Sequence, residues 1–220
     1  MLPYLGLFDS FDNLDQINIE NVAAWLKPPP NLIQLENYLA NRILYPQTLP
    51  MNIQDMEIDL AILREALKLN LNQTKQNDFL ASNLFLNMGL RKILIPERFL
   101  KCVGDLKKLT WAFVDALPID SKRKDWFEDL WNIVLTDDDT DQTIGSLILP
   151  EFGSSSGEIE VNIVGKTYKV KAGSLLVIPC PKDKCELSYK LKQGKLLGKG
   201  ENSVQVSGGS LGIMIDARKR

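Results

Sequence analysis

The chain has 220 residues, 45 % of them apolar and 25 % charged, with a net charge of −2, which suits one large globular domain or two small ones and gives no whole-chain field toward nucleic acid or an anionic membrane. Histidine is absent, so the usual general base near neutral pH is missing, and serine–histidine and cysteine–histidine catalysis are excluded within the chain. Cysteine occurs three times, at Cys102, Cys180 and Cys185, too few for a structural zinc site of about four Cys or His ligands.

The opening "MLPYLGLFDSFDNLD" has no positive leader and turns acidic at once. No apolar run nears the roughly 18–20 residues that span a bilayer. With few cysteines, the expected location is the cytoplasm, without membrane contact. Residues 18–26, "NIENVAAWL", read as a short helix that stops before "PPP", because a proline restricts the residue before it. Asn31 is placed as the N-cap of "LIQLENYLANRIL", with Leu32, Leu35, Leu39 and Ile43 as its apolar face. Pro46 and Pro50 bracket "YPQTLP", a rigid strap rather than a flexible tether. Asn52 caps the strongest helix, over 53–69, with Ile53, Met56, Leu60, Leu63 and Leu67 along one stripe. Asp55 and Glu57 in its first turn and Lys68 in its last agree with the helix dipole.

Residues 70–78, "NLNQTKQND", read as a polar loop, while "FLASNLFLNMGL" fits helix or buried strand equally. The assignment of 70–95 therefore stays open between the two. "KILIP" reads as a strand halted by Pro96. Glu97 to Leu117 reads as helix weakened by Gly104, and a last helix is expected over 122–135 with Trp126, Phe127, Leu130, Trp131 and Val134. Beyond about Ser146 the apolar period becomes two. Ile159, Val161 and Ile163 alternate with Glu158, Glu160 and Asn162, and Leu187, Tyr189 and Leu191 with Ser188, Lys190 and Lys192. Such alternation marks strands buried on one face. Turn signals at 164–166, 193–194 and 207–209 divide six or seven of them. The expected class is α+β: a helical region over 1–136, then an antiparallel β-sheet or small barrel over 143–220.

Several motifs invite a site and fall short of one. Asp137, Asp139 and Asp141 copy the first ligand spacing of a calcium loop, but Gln142 and Ile148 stand where Gly and a bidentate Glu are needed. "TDDDTDQT" reads instead as a solvated linker between the helical and sheet regions. Cys180 and Cys185 flank "PKDK" and read as two small apolar side chains, with a disulfide requiring close, aligned β-carbons. "EFGSSSGE" feeds a strand, not a helix N-terminus, and has no phosphate-loop lysine, so it reads as a loop. Trp111, Trp126 and Trp131 read as core. Lys182, Lys184, Lys190, Lys192, Lys195 and Lys199 read as a solvated sheet face; no aromatic–basic interleaving points to nucleic acid. No metal site, catalytic residue or cofactor is expected.

The most suggestive stretch is "GGSLGIMIDARKR", in which Gly212 leaves room for another backbone and Asp216 stands at a strand's end, placed to pair with Arg218. "GGSLGIMIDAR" resembles the C-terminal signature of the glutamate mutase accessory proteins, the MutL-like family. So does "AAWLKPPPNLIQLENYLANRILYPQTLPMNIQDMEIDLAILREAL", with its Asn-Tyr-Leu-x-Asn-Arg and spaced prolines. The resemblance implies an actin-like, sugar-kinase-type ATPase superfamily whose members accompany cobalamin-dependent mutases as reactivating or assembly partners. This sequence lacks the phosphate loop that opens the nucleotide-binding lobe, and ends "ARKR" where the family continues Gly-Arg-Pro. It resembles the C-terminal portion, so ATP hydrolysis by it alone is not expected. Asn41, Arg42, Asp216 and Arg218 are the positions that match the family blocks and the candidate binding residues. The expected function is a non-catalytic interaction or scaffold region whose partner is a protein, an actin-like ATPase lobe or the mutase. The alternative is a hydrolase or transferase built on two converging carboxylates with separated pKa values.

Overall fold

A computed structural model describes residues 6–9, 11–76, 92–117, 130–137, 140–180, 184–196 and 203–218. The fold is α+β, and the chain divides into two compact units, one of helices and one of strands.

The helical unit contains α1 (Ile19–Ala24), α2 (Leu32–Leu44), α3 (Ile53–Gln76), α4 (Glu97–Val103) and α5 (Leu106–Ala116). Three asparagines start the first three helices. Asn18 accepts hydrogen bonds from the Glu20 and Asn21 amides, Asn31 from Ile33 and Gln34, and Asn52 from Asp55. Each satisfies donors that have no partner inside the helix. Asn31→Ala is expected to lower stability by about 1 kcal/mol in urea unfolding, the usual loss for an N-cap. Helix α3 runs on to Gln76, so the polar stretch from Asn70 to Gln76, expected as loop, is helical. The physical reason is its anchoring: Asn13 donates to the Gln73 side chain at 2.7 Å, and Gln73 donates to Gln16 at 3.1 Å. Gly104, at φ 71°, ends α4 outright and Asp105 caps α5, so the single weakened helix expected over 97–117 is two. Leu60, Ile62, Leu63, Leu109 and Val114 are buried in this unit. No helix among the described residues is long and apolar enough to cross a membrane.

The strand unit holds two larger sheets and a small pair. Strands β1 (Lys92–Pro96), β2 (Leu130–Thr136), β3 (Asp141–Ile148), β11 (Gly212–Asp216) and β7 (Leu175–Ile178) lie side by side in the order β1-β2-β3-β11-β7. This sheet is mixed, because β11 runs parallel to β3 and antiparallel to β7. Strands β10 (Ser203–Val206), β8 (Cys185–Lys192), β5 (Glu158–Ile163) and β6 (Lys166–Lys171) form a second, antiparallel sheet in that order. Strands β4 (Glu151–Phe152) and β9 (Gly194–Lys195) make the small pair. Ile148, Ile178, Ile213 and Ile215 of the mixed sheet share one core with Ile159, Val161, Leu187 and Val206 of the antiparallel sheet. The period-two reading of β5 and β8 holds. The barrel option does not: the described strands form no closed barrel, since the two sheets end at different edges.

Two further expectations are corrected. Leu130 to Leu135, expected at the end of a helix, lie in β2, paired with β3; Ile133 and Val134 are β-branched and buried there. The acidic stretch is not a linker between regions. Asp137 donates its amide to the Thr140 carbonyl at 2.9 Å, turning β2 into β3, and Asp141 already pairs with Thr136. "FLASNLFLNMGL", Trp126 and Phe127 lie outside the described residues.

Candidate functional site

Helix α2, the strap behind it and the start of α3 form the best-defined polar arrangement in the helical unit. The face of α2 that turns inward keeps Leu35 and Leu39 of the expected stripe and adds Tyr38 and Arg42, whereas Leu32 and Ile43, expected on the same stripe, are exposed. Arg42 is 4 % exposed and Asp59 of α3 is 1 % exposed. The guanidinium donates from Nε to Asp59 Oδ1 at 2.9 Å and from Nη2 to Oδ2 at 2.8 Å, a planar two-point fit that lysine could not make. Its Nη2 also donates to the Tyr38 hydroxyl at 2.6 Å, and that hydroxyl donates to Asp59 Oδ1 at 2.9 Å. Nη1 reaches across to the Thr48 carbonyl of the strap at 2.6 Å.

Burial dominates the electrostatics of this group. It pushes the Asp59 carboxyl up to about 6, while Arg42 and the Tyr38 hydroxyl pull it down and nearby Asp55 adds a little upward. Burial, then the Asp59 charge, holds the Tyr38 phenol above its ordinary value. For Arg42 burial acts to lower the pKa, but Asp59 and Tyr38 outweigh it and the guanidinium stays charged. An aspartate raised in the folded state favours its neutral form there. Its contribution is complete below about pH 4, the unfolded value, and is lost as pH rises through about 6. Urea unfolding from pH 4 to 6.5 should therefore show wild type losing stability relative to Asp59→Asn across that window. A relative gain would contradict the raised carboxyl.

The strap is held at several points. Tyr45 donates its amide to the Asn41 carbonyl at 2.8 Å, Thr48 to Tyr45 at 3.1 Å, and Met51 to the Asp55 carboxylate at 3.2 Å. Pinned in this way, it presents apolar side chains to solvent: Tyr45 is 65 % exposed, Leu49 43 %, Met51 91 % and Ile53 74 %. Of the two residues singled out in this block, Arg42 is interior and positions the strap from beneath, whereas Asn41 is exposed at its root. Tyr38, Thr48 and Asp59 complete the arrangement and were not anticipated. A polar residue three after Leu35 and an acid among the apolar positions of α3 were the available signals.

The other two residues, Asp216 and Arg218, belong to the strand unit and meet as expected. Arg218 donates from Nε to Asp216 Oδ1 and from Nη2 to Oδ2, both at 2.9 Å, and its own amide reaches Oδ1 at 3.1 Å. Asp216 ends β11 and is buried, and Ala217 exchanges backbone bonds with Gly173 and Ser174 at 2.7 and 2.9 Å. The pair thus locks the exit of a buried strand. The candidates form two separate groups, one in each unit.

Elsewhere in the strand unit, Lys169 and Lys190 flank Glu160, and Lys171 and Lys192 flank Glu158, in register on the wet face. The ion pairs are long, 3.5 and 3.6 Å, and open to water. Cys180 and Cys185, expected as small, partly buried apolar side chains, are both buried, with their sulfur atoms facing each other. Ser154 and Ser156 of the serine-rich loop both bond to Gln193, at 2.7 and 2.9 Å. Among the described residues no group of three or more Cys, Asp or Glu is placed to hold a metal. Compared with protein-family models, with curated proteins and with solved structures, the chain matches none.

Proposed function

We propose that this chain is a non-catalytic interaction region, related to the C-terminal part of the MutL-like accessory proteins, that works in the cytoplasm beside a cobalamin-dependent mutase. The observation that supports this reading is the strap: a short segment fixed from inside by Arg42 and from its end by Asp55, which spends its rigidity on displaying Tyr45, Leu49, Met51 and Ile53 to water. Exposed apolar side chains clustered in one segment mark an interaction site. A segment already ordered loses little conformational freedom on binding. The same residues fall in the block that resembles the family, and the partner is an actin-like ATPase lobe or the mutase itself.

Affinity capture from the source organism, with mass spectrometry of what is retained, tests this. Wild type is expected to retain an actin-like ATPase or a cobalamin-dependent mutase, and Met51→Asp/Ile53→Asp to retain it about tenfold less or worse, as loss of central apolar contacts does. Both side chains are exposed, so circular dichroism should show the variant folded. Recovery of neither partner, or equal recovery by wild type and variant, overturns the reading.

A further inference from the structure

Helix α2 carries a second apolar stripe, opposite the face that holds Arg42. Leu32, Ile33, Ile43 and Leu44 are between 41 % and 69 % exposed, and the stripe is bridged by exposed Glu36 and Ala40. At 100° per residue these six positions span about 120° of the helix circumference, the width of a core-facing stripe rather than of scattered surface residues. Their order along the axis is symmetric about the helix midpoint. Leu-Ile stands at one end, Ile-Leu at the other, and Glu36 and Ala40 sit at equal distances from the centre.

We infer that this face of α2 binds the same face of a second copy of the chain, antiparallel, across a two-fold axis at the helix midpoint. A two-fold contact requires one patch to complement itself, and this pattern does so in the antiparallel sense. Leu32 meets Leu44 of the second copy, Ile33 meets Ile43, and Glu36 lies over Ala40, whose small side chain leaves the carboxylate a path to water. Parallel pairing is disfavoured by charge, because it sets Glu36 on the other copy's Glu36. Thirteen residues make a helix about 20 Å long, and two such helices crossing bury less than the roughly 1,600 Å² of a standard interface. The dimer is therefore a weak one, visible as a concentration-dependent mass. It uses residues other than the strap's Tyr45, Leu49, Met51 and Ile53, and the inference does not rest on the proposed mutase partner.

Sedimentation of the full chain over a concentration series tests it. The expected result is a mass that rises toward twice that of the chain, and that stays monomeric in Ile33→Asp/Leu44→Asp at every concentration. Glu36→Ala, which removes the one charge from the stripe, is expected to tighten association several-fold, an effect a merely destabilising change would not have. Mixing a Glu36→Cys chain with an Ala40→Cys chain is expected to give an oxidised cross-linked pair, with little from either alone. Met51→Asp/Ile53→Asp should leave self-association unchanged, which separates this inference from the reading of the strap. A monomer throughout, a dimer indifferent to Ile33→Asp/Leu44→Asp, or cross-linking mainly between like variants would overturn it.

Discussion

Asp59→Ala is expected to destabilise the helical unit by about 3–5 kcal/mol at pH 7. That is a large part of the roughly 5–15 kcal/mol that a domain commonly has in total. The reason is not that the ion pair is strong. Bringing Arg42 and Asp59 out of water is expensive, as the upward push on Asp59 indicates, and their attraction does little more than offset it. Deleting the aspartate leaves a guanidinium 4 % exposed with its charge uncompensated, and frees Tyr38 from an acceptor at 2.9 Å. Replacing both charges, as Arg42→Met/Asp59→Leu, should recover most of the loss although it removes every bond between them. Urea unfolding followed by helical circular dichroism checks both. A loss under about 1 kcal/mol for Asp59→Ala would show that Arg42 finds water or another acceptor.

Gly212→Ala is the second large effect, expected at about 3 kcal/mol or more in the strand unit. Gly212 has φ +76°, a region that disfavours any side chain by roughly 1–2 kcal/mol. A β-carbon there would also run into the Ile178 carbonyl oxygen and lie 3.1 Å from the Pro179 α-carbon. Neither neighbour is a flexible side-chain tip that can swing away. Gly104→Ala is the control, because Gly104 has nearly the same φ, +71°, with nothing within 4 Å of the added carbon. It should lose only about 1 kcal/mol, the conformational part alone. Equal losses at the two sites would remove the close approach at Gly212 from the account.

What the sequence made legible was local. The caps at Asn31 and Asn52 rest on one side chain reaching a few residues along its own chain. The alternation in β5 and β8 follows from sheets that bury one face and wet the other. Less legible were choices that depend on distant residues. Helix α2 has two apolar stripes, and which one turns inward is decided by Asp59, seventeen residues away, which accepts Arg42. Leu130 to Leu135 carry aromatic and aliphatic residues that suit a helix as well as a strand. Pairing with β3 decides between them. Asp216 and Arg218 were readable as a pair because a single residue separates them; the parallel partnership of β11 with β3 was not, since nothing nearby in the chain announces it.

That partnership has a consequence during synthesis. Ser146 on β3 bonds to Ser207, just ahead of β11, across 61 residues. At about 5–20 residues per second, a ribosome needs roughly 3–12 s to make that stretch. Throughout it the nascent β2–β3 hairpin waits with one edge open and Ile144, Leu147 and Ile148 uncovered. Such an edge recruits any passing strand. Yield of native protein from cells should thus depend on chaperones that shelter growing chains, and on translation speed between β3 and β11, more than the finished molecule's stability would suggest.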